Sequence, residues 1–477
     1  MKPIKFLALF ALSTIVFSVS AQNTLVYQLF NNQASNTIVR DWDDYYVVSM
    51  QLPYAVGTPY QFKLVKKHTI GSSQHQVYSL TLPSGYTITD FFIFNNYVYF
   101  IGNNSNLDGL FGHFNLNVLV LGNVSVDFYT FAPEGQLSLP GDTYSETFLF
   151  RNFSRVKAFS DGTDTHVLIL GKKISKKVSS GLLPTVIYDT VGAIYDVVPN
   201  ATNYHYAYNN NNDDHEFFDD LVIKPDNIIT FGYTGPVGVE GTYIRMFERT
   251  SPFTLNTYRS LFRIVQDHIP CISKVYASGL DWYTHQFSIL SYYSQYTSYQ
   301  GLTITAMFNY IEQTSPRMQL VLHGGINQGY TIDPTCTNKG LVMDTIDSIL
   351  YVLHDMKQPL SDTSHSTILK LHKPTFGSLN VPVTYFGNEK LNSLDLYNNN
   401  GYITINNQTN TIKAFTENNQ SGSLCGTSTT IPAFWEVDSH TPFSPAYRPL
   451  TNLTGSYLHT TSTLTRTTAT YNIECEY

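Results

Sequence analysis

Apolar and polar positions along this chain fall into short runs with a hairpin rhythm. The clearest lies at 88–102, where two nearly continuous apolar and aromatic runs flank Asn95 and Asn96. Asn accepts the left-handed backbone that a tight hairpin turn demands, and the flanking residues suit strands. A further apolar run, with Gly109, Leu110 and Phe111, predicts a third strand. An exposed hairpin would alternate apolar with polar residues. Continuous runs such as Val98–Ile101 and Val167–Leu170 instead predict strands buried on both faces.

The same grammar recurs at steps of roughly sixty residues. Its marker turns fall at Asp43–Asp44, Asn95–Asn96, near Thr163, at Pro225–Asp226, around Gly279, at Asp347–Ser348 and at 398–401. Third strands are expected near 109–116, 185–190, 241–248, 302–308, 366–371 and 411–415, and outer fourth strands near 76–80 and 128–131. Units that cannot bury both faces alone do so by stacking in a ring. The expected fold is all-β: a seven-bladed β-propeller of antiparallel three- to four-stranded blades over 22–426. A pair of β-sandwich domains is the competing architecture. Residues 25–30 are expected to lend a strand to the last blade. Residues 427–477 form a closure tail, with one strand near 431–437, then Pro442, Pro445 and Pro449, then a Thr-rich strand.

Residues 1–21 read as a signal peptide. Lys2 and Lys5 precede an apolar stretch from Phe6 to Phe17, and small residues at Val19–Ala21 predict cleavage before Gln22. No later apolar run is long enough to span a bilayer as a helix. The mature chain is therefore expected to be exported, to the periplasm, the cell surface or the extracellular space, with no transmembrane segment. Cysteine usage fits that. Cys271, Cys336, Cys425 and Cys475 lack zinc spacing and suit two disulfides. Three pairings are open, and array neighbours favour Cys271 with Cys336 and Cys425 with Cys475.

Only 13% of residues are charged, against 35 Tyr and 30 Phe, and the net charge of −8 argues against a nucleic-acid partner. Neutral partners, a glycan or a protein, stay open. Tyr204, Tyr206 and Tyr208 alternate, so a strand would put them on one face. Trp282, Tyr283, Tyr292 and Tyr293 crowd the fifth unit. These are the candidate ligand-face aromatics, since Tyr pairs a flat apolar ring with a hydrogen-bonding tip. Ordinary blade packing is the alternative. Lys172, Lys173, Lys176 and Lys177 read as a basic hairpin rim. Asn-x-Ser/Thr triplets occur at Asn103, Asn123, Asn152, Asn200, Asn407, Asn419 and Asn452.

Catalytic signatures are missing. No phosphate-binding glycine loop, Gly-x-Ser-x-Gly or His-Glu-x-x-His occurs, so no catalytic or cofactor-binding residue is nominated. Asp213, Asp214 and Glu216, with Asp219 and Asp220, carry the hard oxygens that calcium takes, but without EF-hand order. A solvated connection into a strand is the main reading there, and turn formation is the main reading of Asp161 and Asp164.

The run from Asp90 to Gly102, followed by Gly109 to Phe114, resembles the repeat units of kelch-like and WD-like propellers. It is also similar to uncharacterised exported propeller-like proteins of Gram-negative bacteria, whose signals often end as Ala21–Gln22 does. The resemblance covers 22–415. It lacks the recurring Gly-Gly pair of kelch repeats, and Trp-Asp appears once, at Trp42–Asp43. It implies a propeller and carries over no catalytic residue. Two functions follow as expectations: a non-catalytic binding or scaffold protein, or a polysaccharide hydrolase or lyase with its site at the channel mouth.

Overall fold

A computed structural model describes residues 25–28, 35–51, 60–66, 74–106, 108–131, 144–179 and 186–208, and beyond them the strands between 216 and 476 named below. Side chains are described mainly within 37–208 and 453–467. The fold is all-β and antiparallel, with one short helix among the described residues.

Strand β1 (Leu25–Gln28) comes first. The described strands then pair into successive units. Unit I holds β2 (Ser35–Trp42), β3 (Tyr45–Gln51), β4 (Tyr60–Lys66) and β5 (Gln74–Leu80). Unit II holds β6 (Thr87–Phe94), β7 (Tyr97–Asn103), β8 (Gly109–Asn115) and, after helix α1 (Leu116–Leu121), β9 (Val124–Phe131). Unit III holds β10 (Tyr144–Ser160), β11 (Thr165–Ser179), β12 (Val186–Val197) and β13 (Asn203–Tyr208). Unit IV holds β14 (Glu216–Ile223), β15 (Asn227–Thr234), β16 (Gly241–Glu248) and β17 (Tyr258–Gln266). Unit V holds β18 (Val275–Ser278), β19 (Thr284–Tyr292), β20 (Thr303–Ile311) and β21 (Arg317–Ile326). The two-residue β22 (Thr331–Ile332) precedes unit VI, which holds β23 (Gly340–Asp344), β24 (Ile349–Lys357), β25 (Ser364–His372) and β26 (Asn380–Tyr385). Unit VII holds β27 (Leu391–Leu396), β28 (Gly401–Asn406) and β29 (Thr411–Thr416), and β1 returns as its fourth strand.

The marker turn of unit II has the backbone that its residues predict. Asn95 and Asn96 adopt φ of 48° and 62°, and Asp43 in unit I adopts 46°. The continuous apolar strands are buried on both faces. In β7, Val98 and Phe100 pack toward unit I with Phe62, Phe91 and Phe114. Tyr99 and Ile101 pack the opposite way, with Phe111, Phe131 and Phe153. Each fully buried Phe contributes about 2–3 kcal/mol.

First strands pack in sequence, β2 on β6, β6 on β10, and onward through β14, β18, β23 and β27 back to β2. Polar side chains tie these neighbours. Strands β6, β10, β14 and β27 each carry a register irregularity, after which Asp90, Arg155, Asp220 and Ser393 stand. Asp90 accepts from the Val156 N–H at 3.2 Å and from Arg40 Nη2 at 3.0 Å, reaching units III and I. Ser393 Oγ accepts from the Val39 N–H at 3.3 Å, and Asp395 from the Asp41 N–H at 3.3 Å, joining unit VII to unit I.

The remaining strands run along the outer edges. In β30 (Thr427–Val437), the first half pairs with β26 of unit VI and the second with β21 of unit V. In β31 (Thr451–Thr470), Thr451–Ser456 pair with β13 of unit III, Tyr457–Leu464 with β9 of unit II, and Thr465–Thr470 with β5 of unit I. β32 (Asn472–Glu476) pairs with β1. One strand can follow several units because sheets twist. Three steps of about 20–25° turn the fourth strand across the first, so a fifth runs on to the next unit. The tail thereby covers edges that would otherwise invite pairing with other chains.

Lys172 and Lys173 lie inside the continuous strand β11 and not at a hairpin rim. Lys173 is buried, with its ammonium 3.5 Å from the Tyr208 ring centre. Residues 1–21 lie outside the described residues. Among the described residues no helix is long and apolar enough to cross a membrane.

Candidate functional site

Between units II and III the described residues enclose a cleft of about 570 Å³. One wall is a cross-strand row on unit II. Tyr99 on β7 faces His113 on β8, and His113 faces Asp127 on β9. Tyr97, two residues before Tyr99, shares its face and is half-buried beside the Asn95–Asn96 turn. The Tyr97 and Tyr99 ring centres lie 6.1 Å apart at 26° between planes, and His113 lies 6.0 Å from Tyr99. The opposite wall comes from two turns of unit III, at 163–165 and 198–200. Val118 of α1 forms an apolar lip.

Polar groups frame this aromatic wall. Asp127 Oδ1 lies 2.9 Å from His459 Nε2 on β31, and Asp127 Oδ2 lies 4.0 Å from His113 Nε2. His113 Nε2 also lies 3.3 Å from the Tyr129 hydroxyl. That hydroxyl accepts from the Asn200 N–H at 3.2 Å and donates to Asn200 Oδ1 at 3.4 Å. Burial pushes His113 below the ordinary histidine value of 6.5; Asp127 pulls it up and His459 adds to the lowering. The ring is thus held neutral near pH 7; it is buried, with Nε2 turned to the Tyr129 hydroxyl, and backs the cleft wall between Tyr99 and Asp127.

The turn behind Thr163 is built by its own carboxylate. Asp161 Oδ1 accepts from the N–H groups of Thr163 and Asp164, both at 2.8 Å, and these bonds hold its pKa down to about 2. Gly162 takes φ of 101°, which its missing Cβ permits. Behind the turn, His166 bridges two carboxylates, with Nδ1 3.1 Å from Asp196 and Nε2 3.3 Å from Asp161. Burial opposes the imidazolium, but Asp196 and then Asp161 outweigh it and raise the His166 pKa.

Tyr204, Tyr206 and Tyr208 do share one face of β13, but that face is core. They are 0%, 2% and 7% exposed, packed against Phe131, Tyr195 and Lys173, and β31 covers the strand edge. The expectation that they face a ligand is corrected: alternation fixes a shared side, and here a neighbouring unit occupies it. Trp282, Tyr283 and Tyr293 lie outside the described residues, as do Asp213, Asp214, Cys271, Cys336 and Cys425. Tyr292, Glu216 and Cys475 sit on β19, β14 and β32 with their side chains undescribed. Asp220 is buried; one oxygen accepts from the Leu221 N–H at 2.9 Å and lies 4.0 Å from Lys157. Asn103 is buried with its amide bonded to Phe153, which leaves no room for a glycan.

Sequence reasoning missed His113, Asp127 and His459. Two signals were present. His113 interrupts an otherwise apolar strand, and Asp127 stands where alternation in β9 points it to the same face as His113. Among the described residues no cluster of three His, Cys, Asp or Glu groups could hold a metal ion. The cleft offers ring faces, hydroxyl acceptors and amide groups: the chemistry of non-covalent recognition. The chain matches no family model and no curated protein sequence.

Proposed function

We propose that the exported mature chain is a non-catalytic binding protein that recognises a glycan in the cleft between its second and third units. In this reading residues 22–426 close as a seven-bladed β-propeller, and 427–477 are its closure tail. The cyclic packing of first strands, the Ser393–Val39 and Asp395–Asp41 bonds, and the return of β1 to unit VII support the ring. A ring places neighbouring units side by side, and a groove between two of them is a natural ligand seat.

The observation that carries the binding reading is the row Tyr97, Tyr99 and His113 ending on Asp127. Sugar rings present flat C–H faces edged by hydroxyls. Flat aromatic faces meet the first; the Asp127 carboxylate accepts from the second, and the Asn200 amide and Thr165 hydroxyl on the opposite wall can donate to it. A glycan-array screen of the mature chain and of Tyr97→Ala tests this. Selective binding by the wild type, lost at least tenfold in Tyr97→Ala, is the expected result. Binding that the substitution leaves intact, or turnover of a polysaccharide, overturns it.

A further inference from the structure

Residues lining both walls of the cleft are held by side chains of a strand distant in sequence. We infer that the C-terminal strand β31 completes the binding cleft, with Tyr457 and His459 as positioning residues, so that the site is competent only when this strand is docked. The inference rests on the reading of the cleft as a ligand site.

Three side-chain contacts carry it, beyond the backbone pairing of β31 with β9. His459 Nε2 lies 2.9 Å from Asp127 Oδ1, the carboxylate at the end of the aromatic row. The Tyr457 hydroxyl donates to the carbonyls of Val198, at 3.5 Å, and Ala201, and so grips the turn that forms the opposite wall. Tyr129 is clamped between the two, with ring centres 4.8 Å from Tyr457 and 4.9 Å from His459, and its hydroxyl receives the Asn200 N–H. A strand that only covered an edge would need its backbone alone. Here three side-chain contacts connect the tail to both walls of one cleft.

The strand is also suited to release. Successive segments of it pair with β13, β9 and β5, and among the described residues no segment has a second partner strand. Its Leu458, His459 and Thr460 are exposed. A strand with exposed residues and one partner strand at each position opens at lower cost than the units it covers. Release would free Asp127 and loosen the 198–201 turn together. By linkage, a ligand that needs both walls stabilises the docked strand as much as docking strengthens ligand binding.

The test uses the mature chain carrying Tyr457→Phe or His459→Ala, with Thr467→Val as a control on the same strand. Thr467 bonds the Val77 carbonyl, away from the cleft. Tyr457→Phe should speed amide exchange at Ala201, whose N–H bonds Val198 O at 3.1 Å, about five- to tenfold. His459→Ala should raise the His113 pKa seen by NMR, because His459 lowers it and Asp127 is freed. Thr467→Val should do neither. Unchanged Ala201 exchange and His113 titration overturn the inference. Cellohexaose and chitohexaose are the binding probes. If the wild type binds one of them and both variants bind it equally well, the inference fails while the glycan reading stands. If exchange and titration respond but neither wild type nor variants bind these probes or any glycan on the array, the positioning role holds and the glycan reading fails.

Discussion

Asn103 is one of the polar ties between units II and III, and its replacement should weaken their packing. It ends β7, is 6% exposed, and forms a two-way bridge to unit III. Its Nδ2 donates to the Phe153 carbonyl at 2.8 Å, and its Oδ1 accepts from the Phe153 N–H at 2.7 Å. Phe153 sits at the register irregularity of β10, where the regular ladder is interrupted. Asn103→Ala removes both bonds. Each is worth about 0.5–1.5 kcal/mol net, and a buried backbone group left unpaired costs about 1–3 kcal/mol more. The Phe153 carbonyl keeps the Thr89 hydroxyl at 3.1 Å, so the larger cost falls on its N–H alone. The expected loss is about 2–6 kcal/mol. Asn103→Asp should be no better, because a carboxylate oxygen would face the Phe153 carbonyl. Urea unfolding followed by fluorescence gives the loss, and amide exchange at Phe153 locates it. A change under about 0.5 kcal/mol, or an Asp variant as stable as the wild type, refutes the bridge.

Gly112→Ala should cost about 1–3 kcal/mol by urea unfolding, because the new Cβ would stand 2.3 Å from Cζ of Phe100, whose ring Phe62, Phe114 and Phe128 hem in. Unchanged stability would show that the Phe100 ring moves freely. Gly455→Val should release the start of β31, since the Tyr204 ring lies where its Cβ would go. Faster amide exchange confined to Thr451–Ser456 is the signature, and unaltered exchange there contradicts it. His166 should titrate above 6.5 by NMR. A raised folded pKa contributes stability that is complete below the unfolded value and lost as pH rises through the folded one. The urea-midpoint gap between wild type and His166→Gln should therefore narrow above neutral pH, and a gap that widens there contradicts the bridge to Asp196.

Much of the fold was legible because local rules decided it. Asn95–Asn96 and Asp43–Asp44 mark hairpins whose left-handed turns follow from residue type. The apolar run at Val98–Ile101 predicted two buried faces, and units I and III supply the covers. The strand at Leu25–Gln28 falls within the expected 25–30, while the Thr-rich strand expected over 456–477 begins earlier, at Thr451, and is divided into β31 and β32. The partners of that last strand were not legible. A Thr-rich edge carries no code for which units it will follow, and its register spans β13, β9 and β5 at large sequence separation. The cleft was hidden for a similar reason. Tyr97, His113, Asp127 and His459 meet only through cross-strand rows, while Tyr204, Tyr206 and Tyr208, so visible in the sequence, are spent on packing. The lysines of β11 misled because a strand of this length passes straight through a segment whose charges suggest a turn.

A crystal structure of the mature chain soaked with the strongest oligosaccharide from the array tests the central claim most directly. Sugar density against the Tyr97 and Tyr99 rings, with a hydroxyl in reach of Asp127, is the predicted result. Density elsewhere on the chain, with the cleft between units II and III empty, would contradict it.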